Sequence, residues 1–471
     1  MEYQVPNQFY FRIHHVRPRF KNDVENVLIF VAESIAKLKP MPEADFAQSL
    51  NQAIYGYPGN ANKELKTINN WRTEISSLFG FVQHNNSDIA EAGRRAKELA
   101  TDGDLVAFFK TFLYSFQYPG AHIKSHAILE QIEHGIHFKP AQYLLRLLTY
   151  IKKVEGANIG LTKGEICHCI FNDLRVTRDG QDVSLVWERI KANRKNKCTY
   201  DMTGDVIRYA GDIVDYMELA NLLKTWDSRT YYLNDLETET IVKFMESKEW
   251  FSGYDRMIAK GQGSLTEIKR VYSDWFAYVN RDMDTTDFKT DILAYIAADQ
   301  QEYDALKNTG HAIAARLESE EAFTTKDIGD MGESLVHGHE CMRVKLGGRE
   351  DLIHLIKRIP TQFAVGYDIS SVELDEKKRY IEVKTTISAK PLHFNSIHLT
   401  RNEWNTASTT KEAYYVYRLM ISKQGTKLFL LQDPVGLYKQ DKIDMTPNDG
   451  ADITFDPKKV GRFEDLLVWK H

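Results

Sequence analysis

The stretch of residues 366–386, GYDISSVELDEKKRYIEVKTT, constrains the fold most, because two runs rich in β-forming residues flank a short, highly charged segment. This pattern predicts an antiparallel hairpin with a loop of a few residues. Side chains alternate across a strand, so Glu382 and Lys384 share one face. With the tip of the hairpin near Glu376, Asp368 is expected opposite Lys384 and diagonal to Glu382, on that same face.

Two carboxylates and an ammonium on one strand face suit metal-assisted cleavage of a phosphodiester. Carboxylate oxygens hold hard divalent cations such as Mg²⁺, which keep waters and take further oxygens from a phosphate. Lys384 would orient or help to deprotonate the attacking water and offset the charge that develops on the phosphate. For an isolated D…ExK pattern, the alternative is an exposed hairpin whose charged face is only solvated.

The surrounding sequence favours the catalytic interpretation. A helix-like segment containing Glu333 precedes the hairpin, and FNSIHLTRNEWNTAS and the apolar run AYYVYRLMI follow it. Residues from about 328 to 432 resemble the PD-(D/E)xK nuclease superfamily, and more narrowly the Mrr-like domains and the C-terminal domain of NO VEIN proteins. In those domains GE, GYDI, YIEVKTT and a helix like LTRNEW recur in this order. Tyr367 stands where the name of the motif has proline, a departure that is common in the superfamily.

The resemblance implies roles for the matching residues. Asp368 and Glu382 would be metal ligands, and the carbonyl oxygen of Val383 would be a further ligand. Lys384 would be the catalytic lysine. Glu333 corresponds to the acidic residue on the first helix, which binds the metal directly, through water, or not at all.

Length and composition bound the class of protein. The 471 residues allow two to four domains, and 43% hydrophobic with 27% charged residues is ordinary for a soluble globular protein. No run of about twenty apolar residues could span a bilayer, and the N-terminus lacks the features of a signal peptide, so we expect a cytoplasmic protein without a membrane partner. A net charge of −5 argues against DNA binding through a strongly basic overall surface but allows a local basic face.

Cys167 and Cys169 fall in a helical apolar pattern, which predicts buried free thiols rather than a zinc site.

The N-terminal half has the order of elements expected of DNA-binding modules. From Pro42 onwards, helix, helix, strand and turn are compatible with a helix-turn-helix or winged-helix unit. From about 160 to 235, three helices closing on a β-hairpin predict a winged helix, whose last helix would enter the major groove while flanking residues meet phosphates. Residues of about 45 to 235 resemble the recognition regions of type IIS restriction and nicking endonucleases, which are built of winged-helix subdomains and precede a C-terminal nuclease domain.

Basic and aromatic residues around that last helix are the candidate DNA contacts. Five cations within nine residues would neutralise several phosphates and make the affinity depend steeply on salt, whereas a solvated helix end and loop is the alternative. The candidates are Arg189, Lys191, Arg194, Lys195, Lys197, Tyr200 and Arg208. In the N-terminal HHVRPRF, Arg17 and Arg19 would touch phosphates together with His14 and His15, and a solvated basic arm explains them equally well.

These features predict a multidomain chain. It would have a mainly α, winged-helix-like N-terminal half, a helical connector, and an α/β PD-(D/E)xK nuclease domain with a mixed sheet flanked by helices. The expected divisions are DNA-binding subdomains at about 1–155 and 156–235, a connector at about 236–325, and the nuclease domain at about 326–471.

The function predicted from these parts is a Mg²⁺-dependent, sequence-specific endonuclease for double-stranded DNA, of type II (IIS-like) restriction type. One nuclease domain gives one active site, so cutting both strands would need a transient or stable homodimer or two successive nicks. The resemblance also implies a cognate DNA methyltransferase and a role in phage defence. Two alternatives stay open: a modification-dependent endonuclease that reads methylated bases, and a DNA-binding regulator with an inactive nuclease-like domain, against which the intact Asp368, Glu382 and Lys384 argue.

Overall fold

The computed structural model describes residues 2–13, 24–57, 60, 63–84, 88–225, 229–289, 328–359, 365–388, 395–422 and 425–466. Within these ranges, the N-terminal part (residues 2–289) is mainly helical and the C-terminal domain (residues 328–466) contains a six-stranded mixed sheet. The expected multidomain architecture, a helical N-terminal half followed by a mixed-sheet domain, is confirmed at this level. His14, His15, Arg17, Arg19 and the expected connector from 290 onwards lie outside the described residues.

The first unit of the N-terminal part is a three-stranded sheet with helices around it. Its strands β1 (Met41–Pro42), β2 (Val82–His84) and β3 (Ile89–Ala92) are antiparallel in the order β1-β3-β2. Apolar residues at helical spacing, such as Phe46, Leu50 and Ile54, are buried in the core. The helices of this region are α1 (Val24–Ile35), α2 (Glu43–Gly56), α3 (Leu65–Ser77), α4 (Arg94–Asp102), α5 (Leu105–Ser115) and α6 (Ser125–Glu133).

The same strand order recurs in a second unit. Strands β4 (Leu161–Thr162), β5 (Leu223–Lys224) and β6 (Thr230–Leu233) are antiparallel in the order β4-β6-β5. Thr162 and Glu165 form a capping box at the start of a helix, as their spacing indicates. Cys167 and Cys169 are buried free thiols, as expected. The helices are α7 (Pro140–Glu155), α8 (Lys163–Ile166), a π-helical turn (Cys167–Phe171), α9 (Leu174–Thr177), α10 (Val183–Lys195) and α11 (Gly204–Leu219).

Short helices after β6 pack back onto the N-terminal part. Phe251, Tyr254 and Trp275 form an apolar cluster with Ile128 and Ile132 of α6, so the aromatic residues of this segment belong to a core. No helix in the described ranges is both long enough and apolar enough to cross a membrane. The helices are α12 (Thr238–Glu246), α13 (Asp255–Lys260), α14 (Leu265–Arg270) and α15 (Tyr272–Val279).

The C-terminal domain contains two sheets and three helices. In chain order the elements are α16 (Ile328–Leu346), β7 (Lys357–Arg358), β8 (Ile369–Val372), β9 (Lys378–Ser388), β10 (Ser396–Thr400), α17 (Arg401–Thr410), β11 (Tyr414–Ser422), β12 (Gly425–Gln432), α18 (Pro434–Lys439), β13 (Asp444–Pro447), β14 (Gly450–Thr454) and β15 (Arg462–Glu464) within the described ranges. The large sheet has the strand order β15-β12-β11-β9-β8-β7, in which β9 and β11 are parallel and the other neighbours are antiparallel. The smaller sheet is antiparallel and has the order β10-β14-β13.

The two faces of the large sheet have different surroundings. Ile381 and Tyr417 lie on one face, in an apolar cluster with Val336 of α16. Val416 and Met420 lie on the other face and belong to a core that continues into the N-terminal part. Because side chains alternate along β9, Glu382 and Lys384 are on this second face.

The N-terminal part also contacts the last residues of β9 through its backbone. The Ile387 N–H donates to the carbonyl oxygen of Gly103, at 3.2 Å, and Asp104 forms a parallel bridge with Ile387. Gly103 ends α4 with a φ of 65°, and a Cβ there would lie 2.4 Å from the carbonyl oxygen of Thr385. Only glycine therefore fits this contact without a shift of one chain or the other.

Helix α1 is enclosed on nearly all sides. It packs against α2 and α4, and ten of its residues are buried. Its polar side chains reach the C-terminal domain: Glu25 accepts a hydrogen bond from Ser388, and Glu33 lies 3.8 Å from the buried guanidinium of Arg418. Both partners are on the face of the large sheet that carries Glu382.

Candidate active site

Strands β8 and β9 form the predicted hairpin around a turn at 373–377. Continuing the observed register by one residue places Asp368 opposite Glu382. The expectation that Asp368 faces Lys384 is wrong by two residues, because the loop is centred one position before Glu376. A two-residue shift keeps every side chain on its expected face, so Asp368 remains on the side of Glu382 and Lys384.

The structure brings Asp368, Glu382 and Lys384 together. The Lys384 Nζ lies 2.7 Å from Glu382 Oε1, and the Glu382 side chain is only 6% exposed. Asp368 Oδ2 accepts a hydrogen bond from the Val383 N–H at 2.8 Å. The N–H and the carbonyl of one strand residue point to the same side of the strand, so the Val383 carbonyl also points toward Asp368.

These groups perturb one another. Burial raises the pKa of Asp368 above its ordinary value. Burial, with the neighbouring Glu403 and Asp368 carboxylates, raises the pKa of Glu382 well above its ordinary value, although Lys384 acts against it. Burial disfavours the charged form of Lys384, but Glu382 and Glu403 outweigh this effect and raise its pKa. Three carboxylates thus surround one ammonium. When all four groups are ionised, the site carries a net charge of −2.

Glu403 is a fourth member of the site, and the sequence interpretation missed it. Its Oε2 lies 3.1 Å from Lys384 Nζ. Glu403 is the third residue of α17 and forms a capping box with Thr400. Burial raises the pKa of Glu403, but Lys384 and the hydrogen bonds of the cap outweigh burial and lower it. The T-x-x-E spacing of a capping box was readable in LTRNEW, whereas the contact with Lys384 was not.

Glu333 lies near the start of α16. Arg358 Nη2 donates to Glu333 Oε2 at 3.0 Å. The neighbouring Gly332 packs so closely on β9 that a Cβ would overlap the Thr385 hydroxyl. Glu333 is therefore close to the strand that carries Lys384, and its role at a metal remains a prediction.

The basic cluster of the second unit is largely engaged by carboxylates of the same unit. Lys195 and Lys197 are exposed at the end of α10. Tyr200 is half-buried and accepts a hydrogen bond from Asn193, and Arg208 is half-buried on α11. The paired cations and their N···O distances are Arg189–Asp173 (2.9 Å), Lys191–Glu188 (2.7 Å) and Arg194–Glu165 (2.6 Å). Lys195 and Lys197 are thus better placed for phosphates than Arg189 or Arg194, and DNA contact by any of these residues remains a prediction.

Two family models match different parts of the chain. The model described as restriction endonuclease BpuJI, N terminal, matches residues 3–276, which is more than half of the chain. The model described as protein NO VEIN, C-terminal, matches residues 332–431, so the resemblance of this region to the C-terminal domain of NO VEIN proteins is confirmed. Comparison with curated proteins gives no significant match.

Two solved structures are similar to different extents. A crystal structure of pyrene- and phenanthrene-modified DNA in complex with the BpuJ1 endonuclease binding domain matches with 25% identity and a TM-score of 0.52, covering 59% of this chain and 100% of that chain. The structure of the restriction endonuclease FokI bound to DNA matches with 10% identity and a TM-score of 0.24, covering 80% of each chain. The second similarity is too low to support an argument about fold or function.

Proposed function

The chain belongs to the family of the N-terminal region of the restriction endonuclease BpuJI, and we propose that it is a Mg²⁺-dependent, sequence-specific endonuclease of type IIS-like restriction type that hydrolyses double-stranded DNA. One observation carries the proposal. In a chain whose N-terminal part belongs to this family, the C-terminal domain places Asp368, Glu382 and Lys384 on one half-buried strand face. DNA binding and phosphodiester cleavage would thus be joined in one polypeptide.

The donor set fits a hard divalent cation. Burial raises the pKa values of the buried Glu382 carboxyl and of the half-buried Asp368 carboxyl, so a positive charge between them would relieve the cost of ionising both. The Val383 carbonyl points to the same side and would supply a third oxygen. Within the described ranges, no group of three or more His, Cys, Asp and Glu side chains is arranged to hold a metal. The proposed site therefore depends on two carboxylates, one carbonyl and the oxygens of water and substrate, which suits Mg²⁺.

The remaining steps belong to the protein side chains. A bound Mg²⁺ would supply charge stabilisation at the scissile phosphate and acidify a bound water. The ammonium group of Lys384 lies beside Glu382. It would orient the attacking water and stabilise the negative charge that develops on the phosphate oxygens. The half-buried face limits the access of bulk water, which strengthens these interactions.

We propose that both three-stranded units of the N-terminal part are winged helices that bind DNA. The order helix, strand, helices and closing hairpin, and the shared strand order, support this assignment. The solved BpuJ1 binding domain is in complex with modified DNA, which supports DNA as the ligand of the corresponding part of this chain. Helix α11 would enter the major groove, and Lys195 and Lys197 beside it would contact phosphates.

A single site per chain has a consequence for double-strand cleavage. We expect the C-terminal domain of a second copy to cut the other strand, in a transient or stable homodimer. A restriction enzyme also needs a cognate DNA methyltransferase to protect the host sequence, and we expect one as a functional partner. The C-terminal site and the N-terminal units would then occupy different stretches of the same DNA.

A cleavage assay tests the proposal. The purified protein is incubated with methylated and unmethylated plasmid and genomic DNA, in Mg²⁺ and in EDTA, and the ends of the products are sequenced. We expect discrete fragments only in Mg²⁺, with ends at a fixed distance from one sequence. Cleavage restricted to methylated DNA would instead identify a modification-dependent enzyme.

A matched pair of variants shows whether the cleavage comes from this site. Lys384→Met should abolish cleavage and leave DNA binding nearly unchanged. Lys377→Met, which removes an exposed lysine paired with Asp375 in the hairpin turn, should retain full activity. Absence of cleavage of every DNA by the unaltered protein, or equal activity of the two variants, would refute the proposed function.

A further inference from the structure

The ammonium of Lys384 is shared between two carboxylates. Glu382 Oε1 lies at 2.7 Å and Glu403 Oε2 at 3.1 Å from Lys384 Nζ. In the proposed function Glu382 is a metal ligand. A carboxylate that turns toward a divalent cation gives up part of its hold on a neighbouring ammonium, because the cation and the ammonium compete for the same oxygens. Glu403 would then be the carboxylate that still holds Lys384.

Glu403 is fixed in place by its own helix. Its Oε2 accepts a hydrogen bond from the Thr400 N–H at 3.0 Å, and its N–H donates to Thr400 Oγ1 at 3.3 Å. These two bonds form the capping box at the start of α17. The same Oε2 therefore receives both the helix cap and Lys384, which leaves the carboxylate little freedom to move.

Helix α17 is in turn attached to the chain that carries Asp368. Thr406 Oγ1 donates to the carbonyl oxygen of Val365 at 2.9 Å. Tyr414 Oη donates to the carbonyl oxygen of Gly366 at 2.8 Å. The segment just before Asp368 is thus bonded to α17 and to the start of β11. Asp368, Glu382 and Glu403 come from three elements that are bonded to one another around Lys384.

We propose that Glu403 is a positioning residue, which holds the Lys384 ammonium toward the reacting phosphate while Glu382 binds the metal. This inference rests on the proposed function. Glu403 touches neither substrate nor metal in this role and acts only through Lys384. Its contribution appears in the rate of the chemical step, and not in the affinity for DNA or for Mg²⁺.

Replacement by glutamine tests this role, because a capping box accepts either glutamate or glutamine at this position. Glu403→Gln removes the negative charge and keeps the helix cap. We expect the single-turnover cleavage rate to fall about 100-fold, in the range typical of residues that orient a catalytic group. The dissociation constant for DNA, the Mg²⁺ concentration for half-maximal rate and the melting temperature should stay unchanged. Glu403→Asp, which keeps the charge on a shorter side chain, should be at least about tenfold faster than Glu403→Gln.

The chain offers a matched control. Glu267 occupies the same third position of α14, where its N–H donates to Ser264 Oγ at 3.2 Å. Glu267→Gln makes the same chemical change at a helix start outside the site and should cleave at the unaltered rate. A loss of melting temperature in Glu403→Gln would show a structural role, and an increase in the Mg²⁺ requirement would show a third metal ligand. Either result overturns the proposal.

The two proposals fail in different ways. If the unaltered protein does not cleave any DNA, the proposed function fails and this inference falls with it. If the unaltered protein cleaves DNA and Glu403→Gln cleaves at the same rate, only the positioning role is refuted.

Discussion

Substitution of Gly103 by alanine should separate the N-terminal part from the end of strand β9. A residue with a Cβ at a φ of 65° costs about 1 to 2 kcal/mol relative to glycine. The added Cβ would also lie 2.4 Å from the Thr385 carbonyl oxygen, a distance that real Cβ atoms do not reach. Relief of that overlap must displace the Ile387 N–H from the Gly103 carbonyl, which costs about 1 kcal/mol for the hydrogen bond and at least about 1 kcal/mol for the strained packing.

Gly156 provides the matched control for the conformational cost of placing alanine at a positive φ. It ends helix α7 as Gly103 ends α4, with a φ of 68°, and a Cβ added to it meets nothing within 4 Å. Gly156→Ala therefore carries the same conformational cost without the overlap. The difference between the two variants should be about 2 kcal/mol, which corresponds to about a 30-fold change in a local opening equilibrium.

Amide hydrogen exchange measures this opening at the contact itself. Peptides that cover residues 383–388 report on the Ile387 N–H, and their exchange should accelerate about 30-fold in Gly103→Ala and remain unchanged in Gly156→Ala. Equal protection of these peptides in the two variants would show that the contact between Gly103 and β9 does not stabilise the strand. The reasoning from the overlap would then be wrong.

Further predictions concern charge. A carboxyl whose pKa is raised by folding contributes stability that is lost as the pH rises above its ordinary pKa. In EDTA the melting temperature should therefore fall more steeply with rising pH, from the ordinary Asp pKa of 3.8 upward, in the unaltered protein than in Asp368→Asn; equal slopes would contradict the direction of the Asp368 shift. At a Mg²⁺ concentration 100 times the dissociation constant of the ion, Mg²⁺ should raise the free energy of unfolding of the unaltered protein by about 2.7 kcal/mol. The same concentration should not stabilise Glu382→Gln, and thermal denaturation with and without Mg²⁺ measures both effects. The double variant Lys195→Ala/Lys197→Ala should bind all DNA sequences more weakly by the same factor. In fluorescence titrations at several salt concentrations, it should release about two fewer counterions on binding than the unaltered protein. A loss of affinity for only some sequences would instead assign the two lysines to base contacts.

The hairpin and its face were predictable because they depend on neighbours in the sequence. Alternation with a period of two assigns Glu382 and Lys384 to one face whatever the rest of the fold is. The exact partner of Asp368 was not predictable, because it depends on where the turn is centred. In the structure Glu376 takes a φ of 70°, and the Glu373 N–H donates to the Lys377 carbonyl oxygen, which moves the centre by one residue.

Contacts between segments that are distant in the chain could not be predicted from the sequence. The positive charges of Arg189 and Arg194 were visible, but their partners Asp173 and Glu165 lie 16 and 29 residues earlier in the chain. A count of charges therefore overstated how many cations face outward. The same limit applies to Glu403, whose helix cap is a local pattern and whose contact with Lys384 is not.

The enclosure of α1 has a consequence for protein engineering. This helix has apolar residues all around its circumference, as expected of a helix without a solvent-facing side: the consecutive residues 28–31, which point to four different sides of a helix, are all apolar and buried. A fusion protein that borrowed only residues 328–466 as a portable cleavage module would lose the helix that contacts Ser388 and Arg418 and would expose the apolar surface around them. Such a chimera would require new polar residues on that surface of the sheet, or would have to carry α1 along as a separate grafted segment.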